Sequence, residues 1–97
     1  MIIKKHLVIS GKVQGVGFRY WIQNLAINNN IVGWVKNKLS GDVEALIIGQ
    51  EKEVQKLIKQ CKIGPSLATI KNIQINDYAQ RDKSGSNKNK IIFSRPN

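Results

Sequence analysis

The chain is organised by one glycine-rich stretch, Gly11-Lys12-Val13-Gln14-Gly15-Val16-Gly17-Phe18-Arg19. It joins an apolar run, Leu7 to Ile9, to a segment whose apolar residues recur at helical spacing. Glycine tolerates positive φ and close backbone approach, so such a loop can direct several N–H groups toward one point. A helix that starts near Phe18 would add its unpaired N–H groups, and Arg19 would add a charged fork that binds phosphate. The stretch predicts a phosphate cradle, although an ordinary turn fits the same spacing.

The cradle matches no common cofactor-binding pattern. It lacks the Gly-Lys-Ser/Thr ending of a P-loop, and it does not fit the dinucleotide fingerprint. His6 and Cys61 are the only histidine and cysteine, and they lie too far apart in sequence to build a zinc site. We therefore expect neither a cofactor nor a metal.

Length and composition favour one small globular unit, with residues 1–97 as a single domain. No apolar stretch approaches the ~20 residues of a membrane span, and the N-terminus carries no secretory signal pattern. A lone cysteine fits a reducing cytoplasm. The net charge is +10, but the lysines are spread along the chain, so surface solvation and steering of anions rank above nucleic-acid binding.

Apolar spacing predicts strands over residues 3–10, 31–37, 43–49, 68–77 and 91–93. It predicts helices from Phe18 to the Asn28-Asn29-Asn30 run and over 50–62, with Cys61 on the buried stripe of the second. Residues 80–89 are entirely polar or small and predict a loop. The order indicates an α+β, ferredoxin-like βαββαβ sandwich. We expect an antiparallel sheet, two helices on one face and a short extra C-terminal strand.

The glycine-rich stretch resembles the signature of the acylphosphatases. A second piece, Gly33-Trp34-Val35-Lys36-Asn37 followed by Gly41-Asp42-Val43-Glu44, resembles that family's second motif. Gly64-Pro65 with Ala68 agrees as well, and the resemblance covers about Lys5 to Phe93. Two departures are mild: Lys36 stands where arginine is frequent, and the last strand soon meets Arg95-Pro96.

The resemblance implies hydrolysis of an acyl phosphate to a carboxylate and inorganic phosphate, without metal. It implies that Arg19 binds the phosphoryl group and that Asn37 positions the attacking water. Backbone N–H groups of the loop would complete the phosphate site, which comprises Gln14, Gly15, Val16, Gly17, Phe18 and Arg19. We further expect a cytoplasmic monomer that takes a small acyl phosphate and binds neither nucleic acid nor membrane.

Several side chains allow a second interpretation. His6 could act as a base, but its mid-strand position favours a structural role. Tyr20 and Trp21 could wall the site or contact an acyl group, although partial packing against the sheet is favoured. Asp42 and Glu44 lie near Asn37 in sequence and could be considered as a general base. Turn chemistry accounts for Asp42, and a solvated face accounts for Glu44.

Alternatives to the enzyme also exist on this fold. An RNA-binding module would stack bases on aromatics in the first and third strands, and neither strand contains one. Related domains that act on carbamoyl phosphate begin larger hydrogenase maturation proteins, whereas this sequence stops at Asn97. An inactive relative would more readily have lost Arg19 or Asn37.

Overall fold

The computed structural model describes residues 1–77 and 90–93. Within these ranges, the chain forms five strands and two helices. In chain order they are β1 (Ile2–Lys12), α1 (Phe18–Asn28), β2 (Val32–Asn37), β3 (Val43–Gln50), α2 (Glu51–Cys61), β4 (Thr69–Asp77) and β5 (Ile91–Phe93). The elements predicted from apolar spacing are confirmed, with shifts of one or two residues at some of their ends. The loop predicted over 80–89 and the residues after Phe93 lie outside the described residues.

The strands form one sheet in the order β4-β1-β3-β2-β5, and every neighbouring pair is antiparallel. Helix α1 packs on β2 and β5, while α2 packs on β3 and β1. This is the arrangement expected for a split βαβ unit, in which two helices cover one face of the sheet. The ferredoxin-like sandwich predicted from the sequence is confirmed. The other face of the sheet, called the open face below, carries no helix among the described residues.

The core lies between the sheet and the two helices. Leu7 and Ile9 of β1 are fully buried, as are their β3 partners Ala45 and Val43. Because side chains alternate between the faces of a strand, these four residues form a continuous apolar layer toward the helices. The helical stripes that meet this layer are Phe18, Ile22 and Ala26 of α1, and Val54, Leu57, Ile58 and Cys61 of α2.

Cys61 is part of that core, as predicted. Burial raises the pKa of its thiol from 9.0 to about 12. The thiolate is the nucleophilic form, so the thiol stays protonated and unreactive at neutral pH.

Backbone conformation ends α1 at its C-terminus. Asn29 follows the last helical residue, and its N–H donates to the carbonyls of Leu25 and Ala26, both at 3.1 Å. Asn30 has a φ of 58°, the left-handed conformation that asparagine tolerates well. The prediction that the asparagine run ends the helix is therefore confirmed, and the chain turns directly into β2.

Candidate active site

A small cleft opens where the loop after β1 meets the end of β2. Its volume is about 120 Å³. Both segments emerge at the same end of the sheet, because β1 and β2 each pair with β3 in antiparallel register. The described residues that line the cleft are Val13, Gly15, Gly17, Phe18, Arg19, Tyr20 and Asn37.

The loop backbone faces open space in this cleft. Gly15 and Gly17 have φ values of 74° and 77°, and a Cβ added at either would meet nothing within 4 Å. Positive φ is strained for other residues, so these two positions require glycine for the loop to keep its course. The predicted need for glycine at this turn is therefore explained by backbone conformation.

The N-terminus of α1 lies at the same cleft. Gly17 is the N-cap, no side chain caps this end, and the first turn carries no acidic residue. The helical hydrogen bonds begin with the N–H of Trp21, which donates to the Gly17 carbonyl at 3.0 Å. Backbone N–H groups earlier in the turn have no intrahelical acceptor, and the helix dipole favours an anion there. This end of α1 is suited to a phosphoryl group.

Two polar side chains complete the cleft. Arg19 lies half-buried in the first turn of α1, just after Phe18, which is buried in the core and anchors that turn. Asn37 is the last residue of β2, opposite Val43, and is also half-buried. Arg19 and Asn37 are distant in sequence and line one cleft.

Gln14 and Val16 are not among the lining side chains. The Gln14 amide Nε2 donates to the backbone carbonyls of Lys38 and Asp42, at 2.8 and 2.9 Å. One side chain thus ties the glycine loop to the β2–β3 hairpin, beside Asn37. Val16 is half-buried and packs against the core. The sequence offered no signal for the Gln14 contact, because Lys38 and Asp42 lie 24 and 28 positions further along the chain.

Of the two aromatic residues after Arg19, only Trp21 packs inward as favoured. Its ring lies 5.3 Å from that of Phe18, centroid to centroid, against the core. Tyr20 is 65% exposed and lines the cleft, so the expectation that it packs against the sheet is wrong. The helical stripe explains this, because Phe18 and Ile22 take the inward positions and leave Tyr20 outside.

His6, Lys36 and Glu44 lie together on the open face. His6 Nε2 lies 2.6 Å from Glu44 Oε2, and Lys36 Nζ lies 3.6 Å from Glu44 Oε1. The Glu44 side chain is only 17% exposed, so the view that it sits on a solvated face is corrected. None of the three lines the cleft. The structural interpretation of His6 agrees with this position.

Asp42 closes the hairpin through its backbone. Its carbonyl accepts from the Lys38 N–H at 2.9 Å, and its N–H lies 3.4 Å from the Ser40 hydroxyl oxygen. Turn chemistry accounts for this residue, as predicted.

Residues 1–77 and 90–93 contain neither a cluster of metal-binding side chains nor a membrane-spanning helix. No group of three or more histidine, cysteine, aspartate or glutamate side chains is placed to hold a metal ion in these ranges. Neither helix in them has the length and apolar character needed to cross a bilayer.

Comparison with known proteins agrees with the sequence motifs. The acylphosphatase family model matches residues 5–89. An acylphosphatase from Acidiphilium cryptum is 44% identical over 72 residues, which span 74% of this chain and 79% of that protein. The crystal structure of an acylphosphatase from Bacillus subtilis superposes over 100% of both chains, with a TM-score of 0.78 and 30% identity. A full-length HypF structure in its phosphate- and nucleotide-bound form matches 86% of this chain but 11% of its own, with a TM-score of 0.76 and 35% identity. This chain belongs to the acylphosphatase family.

Proposed function

We propose that this protein hydrolyses acyl phosphates to a carboxylate and inorganic phosphate at the cleft between the glycine loop and Asn37. One observation carries the proposal: an arginine, an uncapped helix N-terminus and a strand-end asparagine line the same small cleft. Family membership supports the reaction class. The cleft also has suitable chemistry, because its donors match the oxygens of a phosphoryl group.

In this proposal, Arg19 and the N–H groups of the loop, from Gln14 to Arg19, hold the phosphoryl oxygens. An acyl phosphate is already activated, since its carboxylate leaving group is a weak base. The protein therefore has to position the reactants and stabilise the phosphoryl charge, and it needs no covalent nucleophile.

Asn37 directs the attacking water. Its amide can accept a hydrogen bond from water and donate one, and it does not titrate. The water oxygen attacks phosphorus as the bond from phosphorus to the acyl oxygen breaks, and the bonding pair leaves with the carboxylate. Both protons of the water remain on the phosphate product. This balance needs no general base, and none of the described lining residues is a carboxylate or a histidine.

The positive charge near the cleft supports a small anionic substrate. Lys12 and Lys38 are exposed and adjoin the two segments that line the cleft. Together with the net charge of +10, they favour the approach of an anion. We propose that this, rather than a nucleic-acid partner, is the role of the charge. Trp34, the aromatic residue on β2 at the open face, is only 9% exposed under Lys36 and Lys90 and offers little surface for base stacking.

We also propose a monomer that works in the cytoplasm. The lone Cys61 is a buried free thiol in the core, which is compatible with a reducing compartment.

Gln14→Glu tests whether the loop and the hairpin must be held together. Glutamate keeps the shape but cannot donate to the carbonyls of Lys38 and Asp42, so the cradle and Asn37 should lose their fixed spacing. We expect kcat to fall about 10- to 100-fold, with a smaller change in inhibition by inorganic phosphate. Gln55→Glu makes the same chemical change on α2, away from the cleft, and should keep wild-type kinetics. Equal kcat values for Gln14→Glu and wild type would remove this positioning role.

The direct test of the function is loss of benzoyl phosphate with excess chelator present. We expect hydrolysis well above the background rate, with release of benzoate and inorganic phosphate in equal amounts. A folded protein that leaves the benzoyl phosphate at the background rate would contradict the proposed function.

A further inference from the structure

We infer that the ring of Tyr20 is the acyl-binding surface of this site and that it favours acyl phosphates with an aromatic acyl group. The inference rests on the proposed function, because it takes the phosphoryl group to lie in the cradle. It adds a specificity-determining residue and a substrate class to that function. Three features of the structure carry it: the size of the cleft, the character of its lining and the position of Tyr20 on α1.

The size of the cleft places the acyl group outside it. Sites that enclose a whole organic ligand measure about 300–1,000 Å³, whereas this cleft measures about 120 Å³. That volume suits a phosphoryl group and its water but not an additional ring. The acyl group must therefore extend past the mouth and rest on side chains at the rim.

The lining leaves one described side chain for that contact. Gly15 and Gly17 have no side chain, and Val13 and Phe18 are buried in the core at 1% and 2% exposure. The two polar lining residues serve the phosphoryl group and the water in the proposed mechanism. Tyr20 is the remaining described lining residue, and its aromatic ring is accessible to solvent.

The position of Tyr20 on α1 leaves its ring available on an anchored helical turn. On a helix, two residues subtend about 200°, so Tyr20 lies nearly opposite the inward-facing Phe18. The core takes Phe18, Trp21 and Ile22 from this turn and does not use Tyr20. Because those packed residues anchor the turn, the backbone of Tyr20 is fixed next to the glycine loop. A flat apolar group can stack on such a ring. If that group is aromatic, the pair is stabilised by more than the burial of its apolar area.

The experiment compares benzoyl phosphate with acetyl phosphate, which differ in the ring. In Tyr20→Ala, we expect the ratio of kcat/KM for benzoyl over acetyl phosphate to fall about three- to tenfold. Tyr20→Phe keeps the ring and should keep the wild-type ratio. Leu39→Ala is the matched control, because Leu39 is a fully exposed apolar residue on the neighbouring hairpin that does not line the cleft. Its ratio should equal that of wild type.

Binding of unreactive ligands gives a second measurement that does not depend on turnover. In calorimetry, Tyr20→Ala should bind benzylphosphonate about three- to tenfold more weakly than wild type and should bind methylphosphonate with wild-type affinity.

The outcomes separate this inference from the proposed function. An unchanged benzoyl-to-acetyl ratio in Tyr20→Ala, or unchanged benzylphosphonate affinity, would overturn the role of Tyr20. In that case, hydrolysis of acetyl phosphate by the wild-type protein would still support the proposed function. Failure of the folded wild-type protein to hydrolyse either substrate would refute the proposed function, and the inference with it.

Discussion

Arg19→Ala is expected to lower kcat/KM for acyl phosphates by about 10³-fold or more, the scale seen when an arginine that stabilises phosphoryl charge is lost. The guanidinium is permanently charged and can donate two parallel hydrogen bonds to phosphate oxygens. The same bonds hold the product, so the variant should also lose most of its inhibition by inorganic phosphate. Steady-state kinetics with and without added phosphate would measure both effects.

Two further variants separate the shape of the arginine from its charge. Arg19→Lys keeps a positive charge but loses the planar fork, so its kcat/KM should fall between wild type and Arg19→Ala. Lys12→Ala removes an exposed cation that adjoins Val13 but does not line the cleft. It should change kcat/KM only a few-fold, and less at high salt, because long-range attraction is screened. A loss in Lys12→Ala as large as that in Arg19→Ala would mean that general charge, rather than a specific contact, drives catalysis.

Local sequence rules were sufficient for the elements and for the turn of the glycine loop. The helical spacing of apolar residues after the glycine-rich stretch predicted that one face of α1 is buried, because the helical period decides which residues share a face. Phe18, Ile22 and Ala26 are buried on that face. The close spacing of glycines predicted the loop, since positive φ at Gly15 and Gly17 is a property of each residue. These features depend on neighbours in the chain, which a single sequence displays.

Contacts between distant segments were not predictable in the same way. The Gln14 bonds to the hairpin require the β1–β3 and β2–β3 registers together, and a residue type alone does not fix a register. The partner of His6, Glu44, lies 38 positions away and meets it only because β1 and β3 pair. The meeting of Arg19 and Asn37 was expected only through the family resemblance.

The exposure of Tyr20 shows a different limit. An aromatic residue beside a buried stripe is ordinarily assigned to the core, since burial of its ring is favourable. Here Phe18 and Trp21 already fill the space under the first turn, with their rings 5.3 Å apart. The helical period places Tyr20 nearly opposite the buried stripe, so its position on the helix overrides the general preference of an aromatic ring for burial.

Asn37→Ala is expected to lower kcat about 10²-fold or more, which is the cost of losing one preorganised polar group that acts in the transition state. Inhibition by inorganic phosphate should remain close to wild type, because Arg19 and the α1 N-terminus are intact. The fold should persist as well, since Asn37 pairs with Val43 through its backbone and alanine keeps those groups. Thermal melting of the variant would check that point.

Asn37→Asp distinguishes a water-directing residue from one that holds phosphate. Aspartate has nearly the same shape, but its carboxylate cannot donate and would repel the phosphoryl group across the small cleft. Both kcat and phosphate inhibition should therefore fall in this variant, whereas Asn37→Ala should lose kcat alone. If Asn37→Ala lost phosphate inhibition to the same extent as Arg19→Ala, Asn37 would be part of the phosphate cradle. If it hydrolysed acyl phosphates at the wild-type rate, the water would have to be directed by another group.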